Sequence, residues 1–143
     1  MSPLALLKRS LTTHYLNFTS RSGRREYTFF ALLVWLYPFL MVGVAALLLP
    51  DLLAKEQEPY TLLEKGFVGL FMLILFGLIP PTLALHVRRL HDLGKGELLY
   101  IVILLLSLIP FLGVLIQLLF TIYLALAPGQ PVPNRWGPPP LER

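Results

Sequence analysis

The sequence predicts an all-α membrane protein, a helical bundle of three to four membrane-embedded segments with an N-terminal interfacial helix. Three features of the chain carry that prediction. Of its 143 residues, 56% are hydrophobic and only 14% charged, and the mean hydropathy is +0.71. Soluble domains run at about 45–50% apolar and about 25% charged. The apolar residues are gathered into blocks near 27–50, 66–87 and 98–127. The net charge of +4 sits mostly in the short segments between blocks, which in a membrane protein sets orientation and lipid contact before it suggests nucleic acid. With no cysteine, disulfides, zinc–thiolate sites and thiol catalysis are excluded. The chain reads as a single membrane domain over 1–140, with a proline-rich polar tail at 128–143.

Residues 3–18 place Leu4, Leu7, Leu11, Tyr15 and Phe18 at spacings of three and four, while Lys8, Arg9, Thr12, Thr13 and Asn17 fall mainly elsewhere. Ser2-Pro3 supplies a cap and a first helical residue. The pattern suits a short helix in the headgroup region, and equally a helix packed on the rest of the protein. The first long apolar block starts near Tyr27, too far in for a signal peptide, and is expected to stay as an anchor. About 20 apolar helical residues cross a hydrocarbon core of roughly 30 Å. Pro38 should kink this helix. The connection at 51–65 is acidic on balance.

In the second block, Pro80 and Pro81 deprive the carbonyls of Phe76 and Gly77 of their usual partners, which predicts a kink. The third block is long, because a continuous helix over 98–127 would reach about 45 Å. "SLIPFLG" interrupts it at Pro110–Gly113. Either one tilted, kinked helix absorbs the length, or two short helices turn there. The first of those two, about 18 Å long, could not cross alone. Lys8, Arg9, Arg21, Arg24 and Arg25 precede the first span, and Arg88, Arg89 and Lys95 follow the second. The positive-inside bias therefore puts the N-terminus and the 86–97 loop in the cytoplasm.

Two polar knots stand out. In "RSGRREY", helical spacing would group Arg21, Arg24 and Arg25 within about 100°, beside a first helical turn whose free N–H groups favour an anion. Three cations there call for a negative partner: a lipid phosphate, Asp92 or the tail carboxylate. Cytoplasmic anchoring is the plainer reading. In "HVRRLHDLGKG", Arg88, His91 and Asp92 share a helical face, with Arg88–Asp92 an i,i+4 pair and Arg89–Asp92 an i,i+3 pair. Gly94 should end the helix.

A histidine beside an aspartate can serve as a general base or a metal ligand. His86 and His91, five apart, are poorly placed to share a metal, however, and two arginines would repel one. No catalytic residue, metal or cofactor is expected. Gln117 should make an interhelical hydrogen bond. The absence of Asp, Glu, Lys or Arg from mid-span argues against a proton-coupled pump or a voltage sensor.

Three separated motifs, "FTSRSGRREY" at 18–27, "RRLHDLGKG" at 88–96 and "PGQPVPNRWGPPP" at 128–140, together resemble the small bacterial inner-membrane family catalogued as domain of unknown function 805. The matching residues are Phe18, Arg21, Arg24, Glu26 and Tyr27, then Arg88, Arg89, Leu90, His91, Asp92 and Gly94. In the tail they are Gly129, Asn134, Arg135, Gly137, Pro138 and Pro140, with Trp136 in an aromatic slot. The chain departs from the pattern at Ser20 (for glycine), Thr28 (for tryptophan), Gly96 (for serine), Leu98-Leu99 (for a tryptophan pair) and Pro139 (for aspartate). The missing tryptophans remove the basis for an aromatic ligand cage.

The resemblance implies a multi-pass protein of the bacterial inner membrane and supplies no activity. It also implies one shared site in which Glu26, Asp92 and the arginines neutralise one another. That requires the tail to return to the cytoplasmic side and favours the hairpin at 98–127. The expected function is an interaction or accessory protein. Arg21, Arg24, Arg25, Arg88, Arg89 and Arg135 would face an anion or lipid headgroup, and Glu26, His91, Asp92 and Asn134 would form a structural polar corner. Its partners would be the lipid bilayer, anionic headgroups and another membrane protein, and not nucleic acid. The rival is a membrane-embedded enzyme or small transporter using His91 and Asp92.

Overall fold

The structure is a computed structural model that describes residues 1–54 and 59–141. The described residues hold six α-helices and no β-strand: α1 (Pro3–Leu11), α2 (Arg24–Leu48), α3 (Pro50–Ala54), α4 (Leu62–Asp92), α5 (Leu98–Leu106) and α6 (Leu112–Leu126). The acidic connection expected at 51–65 lies partly outside the described residues, as does the tail carboxylate beyond 141. The fold divides into two compact units, residues 1–31 with 80–143, and residues 32–79.

Helix α1 begins as its residues dictate: Ser2 Oγ accepts from the Ala5 N–H at 3.3 Å and Pro3 opens the first turn. It stops at Leu11 rather than running to 18. The Thr12 and Thr13 hydroxyls donate to the carbonyls of Lys8 and Arg9, at 2.7 and 3.3 Å. Threonine that bonds back to its own turn competes with helix propagation, and Thr12 leaves helical geometry with φ −124° and ψ −87°. Leu6 and Ser10 are the buried face of α1, while Leu4 and Leu11 point outward.

Helices α2 and α4, of 25 and 31 residues, are long and apolar enough to cross a membrane, and both run on beyond their apolar blocks into basic flanks. Pro38, Pro80 and Pro81 are accommodated inside them. Within residues 32–79, α4 starts on a reciprocal capping box. The Thr61 N–H donates to Glu64 Oε2 at 2.6 Å and the Glu64 N–H to Thr61 Oγ1 at 3.3 Å. Tyr37 stacks on Phe71, with centroids 5.6 Å apart, and its hydroxyl donates to the Phe71 carbonyl at 3.2 Å.

Residues 98–127 form two helices and not one. With 9 residues, α5 reaches about 13 Å and cannot cross alone; α6, with 15, reaches about 22 Å. They pack on each other. The turn between them is tight. Phe111 holds φ +60°, a left-handed conformation that costs a non-glycine residue energy. The Gly113 N–H donates to the Ile109 carbonyl at 2.7 Å, and a Cβ on Gly113 would overlap the Ser107 carbonyl.

The burial pattern runs opposite to that of a soluble core. The largest fully buried side chains are Arg88 and Arg89, whereas Phe111 is 96%, Leu62 88% and Leu47 83% exposed. Apolar surface on this scale marks contact with lipid or protein.

The turn makes a specific demand. Gly113→Ala should lower stability by about 1–3 kcal/mol through overpacking against backbone, read as a lower unfolding midpoint in detergent. Gly43→Ala, where a Cβ meets open space, should change it little.

Candidate functional site

Three short segments, far apart in sequence, converge in the unit made of residues 1–31 and 80–143. The first, 18–23, is shaped by Asn17, whose Oδ1 accepts from the Thr19 and Ser20 N–H groups at 3.0 and 3.2 Å. The Ser22 N–H then reaches the Arg88 carbonyl at 3.1 Å. The second is the end of α4. Gly94, at φ +75°, closes it in a Schellman arrangement, with its own N–H on the His91 carbonyl (3.1 Å) and the Lys95 N–H on the Leu90 carbonyl (2.9 Å). The third is the tail. The Gln130 N–H donates to the Asp92 carbonyl at 2.8 Å, the Asn134 side chain donates to the His91 carbonyl at 2.9 Å, and Asn134 and Gly137 exchange backbone bonds. Gly129 passes so close to the Asp92 carboxylate that any Cβ there would overlap it.

Arg21 ties all three together. Its Nε and Nη2 donate to Asp92 Oδ1 at 3.0 and 2.8 Å, Nη2 also to the Gln130 carbonyl at 2.6 Å, and Nη1 to the carbonyls of Val132 and Gly137 at 2.9 and 3.2 Å. A guanidinium has five N–H bonds, and every one of Arg21's is engaged within the chain. Arg89 donates from Nε to the Leu124 carbonyl (2.9 Å), from Nη1 to Asp92 Oδ2 and the Ser22 carbonyl, and from Nη2 to the Ala127 carbonyl. Asp92 is thus gripped from both sides.

Arg88 takes a different partner from the expected one. It pairs with Glu26 Oε1 at 3.1 Å and not with Asp92, whose two oxygens are held by Arg21 and Arg89. Glu26 is steadied further by the hydroxyls of Ser10 and Ser22, each at 2.9 Å. The Nε and Nη2 of Arg88 are buried with no acceptor among the described residues.

The expected cationic face of Arg21, Arg24 and Arg25 does not form. Because α2 begins at Arg24, Arg21 lies before the helix and turns inward, while Arg24 and Arg25 are exposed. Arg135 is exposed as well, its guanidinium 3.9 Å over the Trp136 ring, which stacks on His91 at 4.3 Å. His91 faces the Ser20 carbonyl through Nδ1 at 3.3 Å and Glu97 through Nε2 at 3.5 Å.

Helical periodicity gave no sign of two further arrangements. His86 donates from Nδ1 to the Thr82 carbonyl (2.8 Å), which leaves Nε2 to accept from the Tyr27 hydroxyl (3.0 Å), with Gln117 Nε2 at 3.4 Å. Gln117 therefore makes an interhelical contact, as expected. The ring of His86 lies flat on Tyr100, 4.8 Å between centroids. The other arrangement is centred on His14, whose Nε2 accepts from Arg9 Nε at 3.0 Å while its Nδ1 faces Arg88 Nη1 at 3.2 Å. A neutral imidazole has one bare nitrogen, so it accepts from only one of the two arginines.

Burial first, then the Arg88 and Arg9 cations, hold the His14 imidazole below its ordinary proton affinity, with Glu26 opposing. A lowered folded-state value means the unfolded chain binds the proton more readily. The stabilisation from docking His14 neutral should be complete above about pH 6.5 and lost as the pH falls below it. The urea midpoint in detergent should fall between neutral pH and about pH 5, and His14→Gln should flatten that slope. An equal slope in the variant would assign the pH dependence elsewhere.

The geometry places the three polar motifs in one network, and the comparisons cover the same stretch. The family model described as "Protein of unknown function (DUF805)" matches residues 15–138. Inner membrane protein YhaI of Escherichia coli (strain K12) is 31% identical over 115 residues, 78% of this chain and 78% of the relative, and the protein of that name from Escherichia coli O157:H7 matches equally. No solved structure matches. The chain is a helical membrane protein that belongs to the DUF805 family.

Proposed function

We propose that the protein is a multi-pass inner-membrane protein with a cytoplasmic N-terminus, acting as an accessory or interaction subunit whose polar corner meets anionic lipid. Two membrane-length helices, basic flanks on α2 and α4, and an inner-membrane relative support the location. The observation that carries the functional reading is a division of labour among the arginines. Arg21, Arg88 and Arg89 are buried and bound to Glu26, Asp92 and backbone carbonyls, so they hold the helices and tail together. Arg24, Arg25 and Arg135 are exposed, as are Lys8 and Lys95. A rim of cations at a lipid boundary attracts anionic headgroups, worth about 1 kcal/mol per residue near the surface.

Asp92 has both oxygens engaged by arginines, and His91 bonds to Ser20 and faces Glu97 rather than Asp92. The pair that the rival names needs the Asp92 carboxylate on the His91 imidazole, and Asp92 is turned to the arginines instead. The arrangement therefore favours a clasp over the rival enzyme or transporter.

Two measurements test this reading. A reporter fused after residue 143 should register in the cytoplasm, because the tail bonds to the end of α4. The double reversal Arg25→Glu with Arg135→Glu should lower the total phosphatidylglycerol that co-purifies, at unchanged protein level and unfolding midpoint. A periplasmic reporter, or unchanged lipid content, would contradict the proposal.

A further inference from the structure

Where the tail passes the foot of α2 and the end of α4, a cavity of about 200 Å³ is lined by Arg24, Arg89, Asp92, Pro128, Gly129 and Gln130. Its charge does not balance. Asp92 is the one carboxylate in the wall, and it already carries two cations, with Arg21 on Oδ1 and Arg89 on Oδ2. The Arg24 side chain has no hydrogen bond or ion pair among the described residues and stands near enough to Arg89 for the two to repel. Arg89 is fully buried and engages four of its N–H bonds, one from Nε, two from Nη1 and one from Nη2. One Nη2 hydrogen is left over.

We infer that this cavity is a seat for a single phosphate group, bound between Arg24 and Arg89, with the phosphate of an anionic phospholipid or free phosphate as its source. The inference deepens the lipid-facing reading and rests on it for the location of the cavity. Three considerations point to phosphate. The Arg24 guanidinium can donate two parallel bonds to a tetrahedral oxyanion, and Arg89 one more from its remaining Nη2 hydrogen. A phosphate ester has oxygens enough to meet a guanidinium from each side at once. The anion would also relieve the Arg24–Arg89 repulsion that Asp92, already shared between two partners, cannot. Gly129 lets the tail close directly on the Asp92 carboxylate at this wall, where any Cβ would overlap it.

The test uses the full chain in phosphatidylcholine nanodiscs, titrated separately with phosphatidylglycerol and inorganic phosphate, with bound states counted by native mass spectrometry. The wild type should retain one saturably bound phosphate species. Arg24→Gln, with the unfolding midpoint of the wild type, should weaken that binding about tenfold, as expected for the loss of one charge-assisted hydrogen bond. Arg25→Gln, which removes an equally exposed cation outside the cavity wall, should leave the saturable species in place.

Saturable, Arg24-dependent binding of phosphatidylglycerol supports a lipid seat. The same dependence with inorganic phosphate alone supports the seat and assigns it to free phosphate, overturning the lipid reading. Equal losses in the two variants would overturn the seat while leaving a diffuse cationic rim intact. No saturable species in the wild type would overturn it too.

Discussion

A guanidinium cut off from water must find its acceptors within the chain, since an unpaired buried charge is among the costliest arrangements a protein can hold. Arg21, Arg88 and Arg89 are all buried in the same unit. Arg21 meets the constraint in full and Arg89 nearly so, while Arg88 finds Glu26 and keeps two nitrogens without an acceptor among the described residues. The supply of acceptors determines the local fold. Two carboxylates, Glu26 and Asp92, come from different helices, and the remaining acceptors are carbonyls at 22, 124, 127, 130, 132 and 137. Those carbonyls can be in reach only if α6 returns beside α4 and the tail folds back over Asp92. The arginines thus dictate the path of the last third of the chain.

The hairpin of α5 and α6 follows from the same demand. One continuous helix over 98–127 would carry residue 130 far from Asp92. Two shorter helices, turned at Phe111 and Gly113, bring it back. The strained φ of Phe111 and the carbonyl-tight fit of Gly113 are where the chain accommodates that reversal. Within the hairpin, Gln117 faces His86 and Ser107, so its polar groups are met inside the bundle and its outer face stays apolar.

Much of this could be read in the sequence, for reasons that also mark where reading fails. The apolar blocks, the Ser2-Pro3 start, the Gly94 stop and the Arg89–Asp92 pair are local, set by residues within a turn or two of each other. The convergence of the three motifs came from their resemblance to a family, since no periodicity links residue 21 to residue 137. Helical spacing pairs Arg88 with Asp92, four apart on one helix. The choice of Glu26 depends on how α2 and α1 pack against α4, which helical spacing cannot express. Spacing likewise groups Arg21 with Arg24 and Arg25 on a shared face, but α2 starts three residues after Arg21. Nothing in the sequence marks His14, because its two arginine neighbours, one on α1 and one on α4, meet only after folding.

The arginines divide into a buried set that holds the chain together and an exposed set that does not. The inner three share two carboxylates, which leaves one cation in excess, while Arg24, Arg25 and Arg135 are exposed. The Arg21–Asp92 pair joins the three segments, and a double-mutant cycle of Arg21→Gln and Asp92→Asn, followed by unfolding in detergent, measures its strength. A coupling of about 1–3 kcal/mol, with the double variant losing less than the sum of the singles, is the expected result. Additive losses would mean that the arginine and the aspartate do not act on each other, and that the corner is not what holds the tail.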